Sequence, residues 1–507
     1  MSAPKATGAG RGLLFISFAK LWFMIAGYAI QFGLPRALGS AAKFGVWTLV
    51  LAMVSPLNNV LVTANIQSVS KFTSTGDGSH YAAVRAGLRL QAYVASGTWL
   101  LFVAAGAPLA AWFAHDLALL PTLWLASGVV LCYSFYAVFV GAANGSRQFQ
   151  KQAALDITFS TLRATFVIGA AYVFHSATAS VGGFVSAAAI ILFLSYQVVG
   201  LGPAPAATTE RPALKPMARF FAEVAVYLLV LNLVMFVDGI LLKRLAAEAA
   251  VAAGLADPTT AADTQVGLYG AVQAIARLPY QLILAVTFII FPLMSKATFD
   301  EDHERARRYV EVTMRYSLLV CAVMAVVLGA RPQATLALLY KPEYGVGATA
   351  VPWLLFGYVA FALISIGGTV LNSAGHTRDT TKLALGTLIV AVAANYAALS
   401  WAFANHADPL LAAAASTTLA MGCGLGWTMW ELRRLFGARL PLLSVVRTGA
   451  ITAAGFGVGW LWPTSGFLAG KLGSLVFFAV EGLLCLVLAF ATRELSIPEL
   501  RAVRAKN

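Results

Sequence analysis

Charge is scarce in this chain. Asp, Glu, Lys and Arg together make up 11% of its 507 residues, against 60% hydrophobic residues, whereas a soluble domain carries about a quarter charged. With a mean hydropathy of +0.79, that shortage excludes a soluble globular protein. Cysteine is almost missing too. The four present, Cys132, Cys321, Cys423 and Cys485, all fall inside apolar runs, which excludes a disulfide framework or a thiolate metal site and leaves them as packing residues. His115, His175 and His406 fall in or beside loops and no His/Cys cluster offers metal spacing. No GxxxxGK[ST] phosphate loop occurs. Every loop is short, so no segment outside the apolar runs is large enough to fold as a separate domain.

What the chain has in quantity is apolar runs of spanning length. A helix rising ~1.5 Å per residue needs about 20 such residues to cross a ~30 Å hydrocarbon core. Fourteen runs fit: Leu13 to Gly33, Gly45 to Ile66, Leu88 to Phe113, Leu117 to Ala143, Ala153 to Phe174, Val181 to Gly200, Phe220 to Leu242, Val266 to Leu293, Val312 to Leu328, Val351 to Leu371, Leu383 to Phe403, Leu410 to Trp430, Thr448 to Leu461 and Leu472 to Ala491. The pattern predicts an all-α polytopic membrane protein. Lys5 and Arg11 precede a first run that is longer than a signal-peptide core and contains Lys20, so it reads as a retained span. Of the 35 Lys and Arg, 23 fall on one set of termini and loops, 7 on the opposite set and 5 within spans. The positive-inside rule therefore predicts that both termini are cytoplasmic. The net charge of +14 is spread over those loops rather than gathered in a patch, which argues against nucleic-acid binding.

The link GPAPAATTERPALKP has the composition of a flexible linker and follows the sixth run. It predicts a parse of six, six and two spans: residues 1–203, 204–436 and 437–507. The segments SVSKF after the second run and PLMSKATF after the eighth correspond weakly, as internal repeats in secondary transporters do.

Charge inside spans is expensive and marks cavities, pathways or partners. On the first span Ser17, Lys20, Met24, Gly27 and Gln31 step by three or four and form one helical stripe. Lys20 lies ~10 Å deep; it either lines a cavity or snorkels back to the interface. On the eighth, Tyr269, Gln273, Arg277 and Gln281 recur every four residues, with Pro279 interrupting the backbone ladder nearby. Arg277 is near the midplane, where its planar fork needs an acid, carbonyls, water or an anionic ligand, and suits phosphate. On the fifth, Asp156, Ser160 and Arg163 share a face; Asp156 and Arg163 satisfying each other is the plainer reading. Glu223, Tyr227, Val234 and Asp238 lie along one side of the seventh span, and structural pairing and proton or cation binding both fit them. Asn58 and Asn59 follow Pro56, while Tyr358, Ser365, Thr369 and Asn372 form a stripe in the tenth span; such residues commonly hold helices together. Glu481, midway along the last span, has no basic neighbour at helical spacing. Arg89 and Arg315 lie near span ends, where long side chains snorkel.

Four stretches carry a family resemblance: LPRALGSAAKFGVWTL, GAANGSRQF, GLYGAVQAIARLPYQLILAVTFIIFPLMSKA and LYKPEYGVGATAVPWLLFGYVAFALISIGGTVLNSAGHTRDT. In that order, across fourteen spans, they resemble polysaccharide flippases of the multidrug/oligosaccharidyl-lipid/polysaccharide exporter superfamily, in the O-antigen (Wzx-type) branch. The resemblance covers essentially the whole chain. It implies two six-helix bundles around a basic central cavity, a last helix pair packed outside, and alternating access that carries an undecaprenyl-pyrophosphate-linked oligosaccharide from the cytoplasmic to the outer leaflet of a bacterial inner membrane. Lys20, Arg277 and Arg163 are then expected to meet the pyrophosphate, with Gln273, Gln281 and Asn59 as neutral contacts. Asp238 and Glu223 become the ion-coupling candidates, with proton or sodium coupling open and no cofactor required. Membrane lipids and a polysaccharide polymerase or ligase are the implied partners. The RIPN-like motif associated with lipid II flippases is absent, which argues against a peptidoglycan precursor as cargo.

Physics supports the direction independently. A pyrophosphate with two negative charges leaving an inside-negative cell moves downhill by roughly 5 kcal/mol per 100 mV. A drug or small-cation exporter of the same fold predicts an acidic and aromatic site, whereas the midplane charge here is mostly basic. A membrane glycosyltransferase, polymerase or ligase needs a catalytic outer loop or an acidic pair. This chain offers only scattered Asp116, Glu248, Asp257, Asp263, Glu343 and Asp408.

Overall fold

The computed structural model describes residues 7–74, 80–202, 214–283, 294, 302–463 and 470–495. Among them the regular structure is helical. The long α-helices are α1 (Thr7–Leu38), α2 (Ala41–Ser74), α3 (His80–Pro108), α4 (Leu120–Gly145), α5 (Phe149–Phe174), α6 (Ala177–Val199), α7 (Leu214–Val234), α8 (Val237–Ala252), α9 (Pro258–Ala276), α10 (His303–Gly329), the short α11 (Pro332–Leu339), α12 (Ala350–Ser373), α13 (Thr377–Ala404), α14 (Pro409–Phe436), α15 (Leu442–Leu461) and α16 (Lys471–Ala491). Helices are what such a sequence must form, because hydrocarbon offers no partner for backbone N–H and C=O groups and only an internal ladder satisfies them.

Twelve of the described helical segments are long and apolar enough to cross a membrane, and they match twelve of the fourteen expected spans. The first expected span is α1, 32 residues long. The eighth begins on α9 and continues helically to Ile283, while its residues 284–293, the charged loop segment 295–301 and most of the PLMSKATF segment lie outside the described residues. Residues 203–213 of the linker lie outside them as well.

The chain divides into two compact units, Met1–Gly267 and Leu268–Asn507. In the first, α2 packs along α4, α1 along α5, and α7 on α2 and α3, so the unit continues past the proline-rich link. The helices α1 and α5 run parallel and in register. Lys20 meets Asp156, Trp22 Nε1 donates to Thr161 Oγ1 at 2.9 Å, and His175 Nδ1 donates to the Ala37 carbonyl at 3.0 Å. Near the start of α2 the backbone of α9 comes into direct contact. A Cβ on Gly45 would overlap the Asp263 carbonyl, and one on Gly267 would overlap that of Ala41, so only glycine permits this crossing.

The seventh expected span is not one helix. The α7 helix ends at Val234, and α8 starts at Val237 after Phe236 leaves helical geometry with φ −124°. Met235 and Phe236 donate to Asn232 and Leu233 three residues back, at 3.0 and 3.1 Å, which tightens the end of α7. Asp238 then accepts from the Gly239 N–H at 2.8 Å in the first turn of α8, where the positive end of the helix favours an acid. Asp238 and Glu223 therefore sit on different helices. The expected outer segment Arg244 to Thr264 is largely helical too, shared between α8 and α9.

In the second unit α12 packs on α14, α13 on α14, and α10 on α12. The last pair, α15 and α16, attaches to α10 through Leu319, Val326, Ile451, Cys485 and Ala489. Arg315 does not snorkel. Its Nε donates to Glu494 Oε1 at 2.7 Å and its Nη2 to the Glu494 carbonyl at 2.6 Å, with Arg447 3.7 Å from the other carboxylate oxygen. Glu481 is fully buried against Gly455 and Val326, and its Oε2 lacks a hydrogen-bond partner among the described residues.

Gly45→Val and Gly267→Val are each expected to destabilise the protein by about 3 kcal/mol through overpacking. Gly97, which has open space where a methyl group would stand, should tolerate Ala or gain up to ~1 kcal/mol. Thermal unfolding of the purified protein in detergent checks both; an unshifted Tm for Gly45→Val contradicts the backbone contact.

Candidate functional site

Three charged residues of the first unit, Lys20, Asp156 and Arg163, gather around one aromatic cluster. Phe159 on α5, fully buried, is flanked by Tyr133 and Tyr136 of α4 at 4.6 and 5.7 Å, Phe23 of α1 at 6.3 Å and Phe184 of α6 at 6.4 Å between centroids. One turn along α5 from Phe159, Arg163 lays its guanidinium into the same cluster, 4.7 Å from the Phe23 centroid, 5.6 Å from Phe184 and 5.8 Å from Phe159. Its Nε is buried and has no hydrogen-bond partner among the described residues. Ring faces attract a cation but accept little from its N–H fork. Gly27 leaves room there: a Cβ on it would stand 3.5 Å from Arg163 Nη2.

Asp156 does not partner Arg163, contrary to the plainer reading of the shared face. It is taken by Lys20, whose Nζ lies 2.8 Å from Asp156 Oδ2, while the Tyr136 hydroxyl donates to Oδ1 at 3.3 Å. The ammonium also lies 6.0 Å from the Phe23 centroid. Lys20 and Arg163 therefore flank one ring and their charged centres are no more than about 11 Å apart. The parallel register of α1 and α5 is what brings them together.

In the second unit, Arg277 stands at the turn between α9 and the helical residues that follow. Its N–H donates to the Gln273 carbonyl and the Gln281 N–H to the Arg277 carbonyl, both at 3.0 Å, so the four-residue stripe survives the turn. Arg277 Nε donates to the hydroxyl of Tyr358 at 2.8 Å. Tyr358 is itself fully buried on α12 and belongs to the polar stripe in the tenth expected span; Tyr280 packs edge-on against Phe361 at 5.0 Å. Gln273 is buried and Gln281 half-buried.

The remaining candidates occupy other places. Asn59 on α2 donates to Asn232 of α7 at 3.0 Å, and Asn232 in turn to the Leu228 carbonyl at 2.8 Å, a bond between helices. Glu223 pairs with Arg219 at 3.2 Å, both more than half exposed, a pair of small energetic weight. Asp238 is 1% exposed. Near it in sequence, Lys243 and Asp263 form an ion pair at 2.6 Å with side chains 1% and 6% exposed, which ties α8 to α9. No group of three His, Cys, Asp or Glu side chains able to hold a metal occurs among the described residues.

Comparison with known proteins agrees with this architecture. A family model described as polysaccharide biosynthesis protein matches residues 34–341. The fold is similar to that of lipid II flippase MurJ in an inward closed conformation, with a TM-score of 0.73 and 11% identity over 95% of this chain and 99% of that one. A multidrug resistance MATE family transporter of the MOP superfamily, inward-facing, matches with a TM-score of 0.59 and 13% identity over 80% of this chain and 94% of that one. A MOP superfamily transporter from Pyrococcus furiosus gives 0.56 and 13%, over 84% and 96%. An uncharacterized membrane protein of Methanocaldococcus jannaschii is 30% identical over 100 residues. That match spans 20% of this chain and 20% of the relative's own length.

The Lys243–Asp263 pair is expected to be structural. Lys243→Met strands a buried carboxylate and should cost about 3–5 kcal/mol, whereas adding Asp263→Leu should recover most of it. Denaturant or thermal unfolding of the two variants measures this; a single variant as stable as the parent contradicts it.

Proposed function

The chain belongs to the polysaccharide biosynthesis protein family, and from that premise we propose that it carries an undecaprenyl-pyrophosphate-linked oligosaccharide, an O-antigen or other surface polysaccharide unit, across the bacterial inner membrane by alternating access. The observation that carries this reading is Arg163. A guanidinium inside the bilayer with no acceptor for its buried Nε among the described residues is expensive, and a phosphate is a ligand that its fork can take with two parallel hydrogen bonds. Lys20 adds a second cation at the same ring. Arg277, steadied by Tyr358, is the second unit's own phosphate contact. The basic character of these positions favours an anionic head group over a cationic drug.

On this reading the protein performs no bond chemistry. Its residues bind, release and shield, and the membrane potential supplies the downhill direction. Gln273 and Gln281 are neutral contacts beside Arg277. Of the two carboxylates considered for ion coupling, Asp238 is the one withdrawn from water. Both termini lie in the cytoplasm, where the basic loops belong, and a polymerase or ligase receives the cargo at the outer leaflet.

In cells that depend on this protein for surface polysaccharide, Arg163→Ala and Arg277→Ala are each expected to reduce the surface product at least about tenfold, a loss of more than ~1.4 kcal/mol, at unchanged membrane abundance. Arg163→Lys keeps charge without the fork and should fall in between. Full export with Arg163→Ala would overturn the anion-site reading.

A further inference from the structure

Lys20 and Asp156 divide unevenly between water and protein. The lysine side chain is 47% exposed and the aspartate 8%, and Asp156 is held a second time by the Tyr136 hydroxyl. The carboxylate is thus the fixed member of the pair and the ammonium the mobile one, on a flexible four-carbon stem. Around them the charges do not balance. Lys20 and Arg163 bring two positive charges to the Phe23 ring, and Asp156 is the carboxylate bonded there.

We infer that Asp156 is a resident counter-anion that occupies Lys20 when the site is empty and that the phosphate of the cargo displaces. This rests on the anion-site reading above and adds a release step to it. Phosphate arriving at Arg163 offers the Lys20 ammonium, whose charged centre lies no more than about 11 Å away, a stronger partner than a carboxylate. Drawing the ammonium away leaves Asp156 buried with Tyr136 alone, which is unfavourable. Binding is therefore weakened by the carboxylate that it strips, and return of Lys20 to Asp156 helps expel the cargo. A transporter needs that weakening, since a site that holds its anion with both cations at full strength cannot turn over.

The groups facing Asp156 are Lys20 from α1, Tyr136 and Tyr133 from α4 and, on its own helix two turns on, Arg163. From α6 the cluster receives Phe184. Removing the charge of Asp156 releases Lys20 and also leaves the Tyr136 hydroxyl a neutral partner, so the Lys20→Met background is what separates the release of Lys20 from the loss of the carboxylate's own field.

The test is equilibrium binding of inorganic pyrophosphate to the purified full-length protein. Asp156→Asn should bind about fivefold tighter than the parent, the size of a half-exposed ion pair. In a Lys20→Met background there is no ammonium to release, and the same Asp156→Asn change should alter binding by less than about twofold. Tyr136→Phe should move the other way, to about threefold weaker binding, because Asp156 then depends on Lys20 alone; it serves where the Asn variant does not fold. In transport, Asp156→Asn should lower the half-saturating cargo concentration and slow the maximal rate together. Binding that is unchanged or weaker in Asp156→Asn, or tighter in Tyr136→Phe, overturns the inference while leaving the anion site standing. If the parent does not bind pyrophosphate, or Arg163→Ala binds it equally well, the anion site itself is wrong and the inference falls with it.

Discussion

Taking charge out of water without a partner is so unfavourable in hydrocarbon that it organises the whole structure. Several of the described residues answer that constraint in pairs. Lys243 is closed off by Asp263, Glu494 by Arg315, and Lys20 by Asp156. Each pair also ties helices together: α8 to α9, the end of α16 to α10, α1 to α5. Against that pattern Arg163 stands out, since its guanidinium is received by rings rather than by an acid. That difference in surroundings is what the proposed anion site rests on.

The aromatic cluster supplies those surroundings. Phe159 anchors α4, α5, α6 and α1 at one level, and the same rings lend Arg163 cation–π attraction that no single acid could give without quenching the charge. The parallel register of α1 and α5 then fixes Lys20 at the neighbouring edge of the site. The contacts that hold the first unit together also set the spacing of these two cations.

The helices are legible in the sequence because an apolar run of spanning length is a local property, and the runs from Gly45 to Ile66 and Leu410 to Trp430 fall inside α2 and α14. The break at Met235 and Phe236 is not, since both residues are apolar and hydropathy does not register a backbone turn. Nor is the contact of Gly45 and Gly267 with backbone carbonyls, because small residues are common in spans and only tertiary packing selects these two. The site is half legible. Depth and helical periodicity single out Lys20, Arg163 and Arg277, but partner choice is decided between helices. Periodicity alone therefore matches Asp156 to Arg163 on its own helix, whereas the fold gives it to Lys20. The usable signal is that Lys20 and Asp156 both lie near the start of spans running in the same direction. Asn59 shows the opposite case, a polar residue within a span whose amide is spent on Asn232.

On the proposed function, the protein moves a pyrophosphate-linked glycan lipid between leaflets. The most direct measurement is the accessibility of an undecaprenyl-pyrophosphate-linked oligosaccharide, placed in the inner leaflet of proteoliposomes, to a membrane-impermeant glycosidase outside. The purified protein is expected to expose the inner-leaflet pool far faster than protein-free vesicles do, while a simple undecaprenyl sugar lacking the pyrophosphate stays protected. Protection equal to that in protein-free vesicles, or equal exposure of the lipid without pyrophosphate, would contradict it.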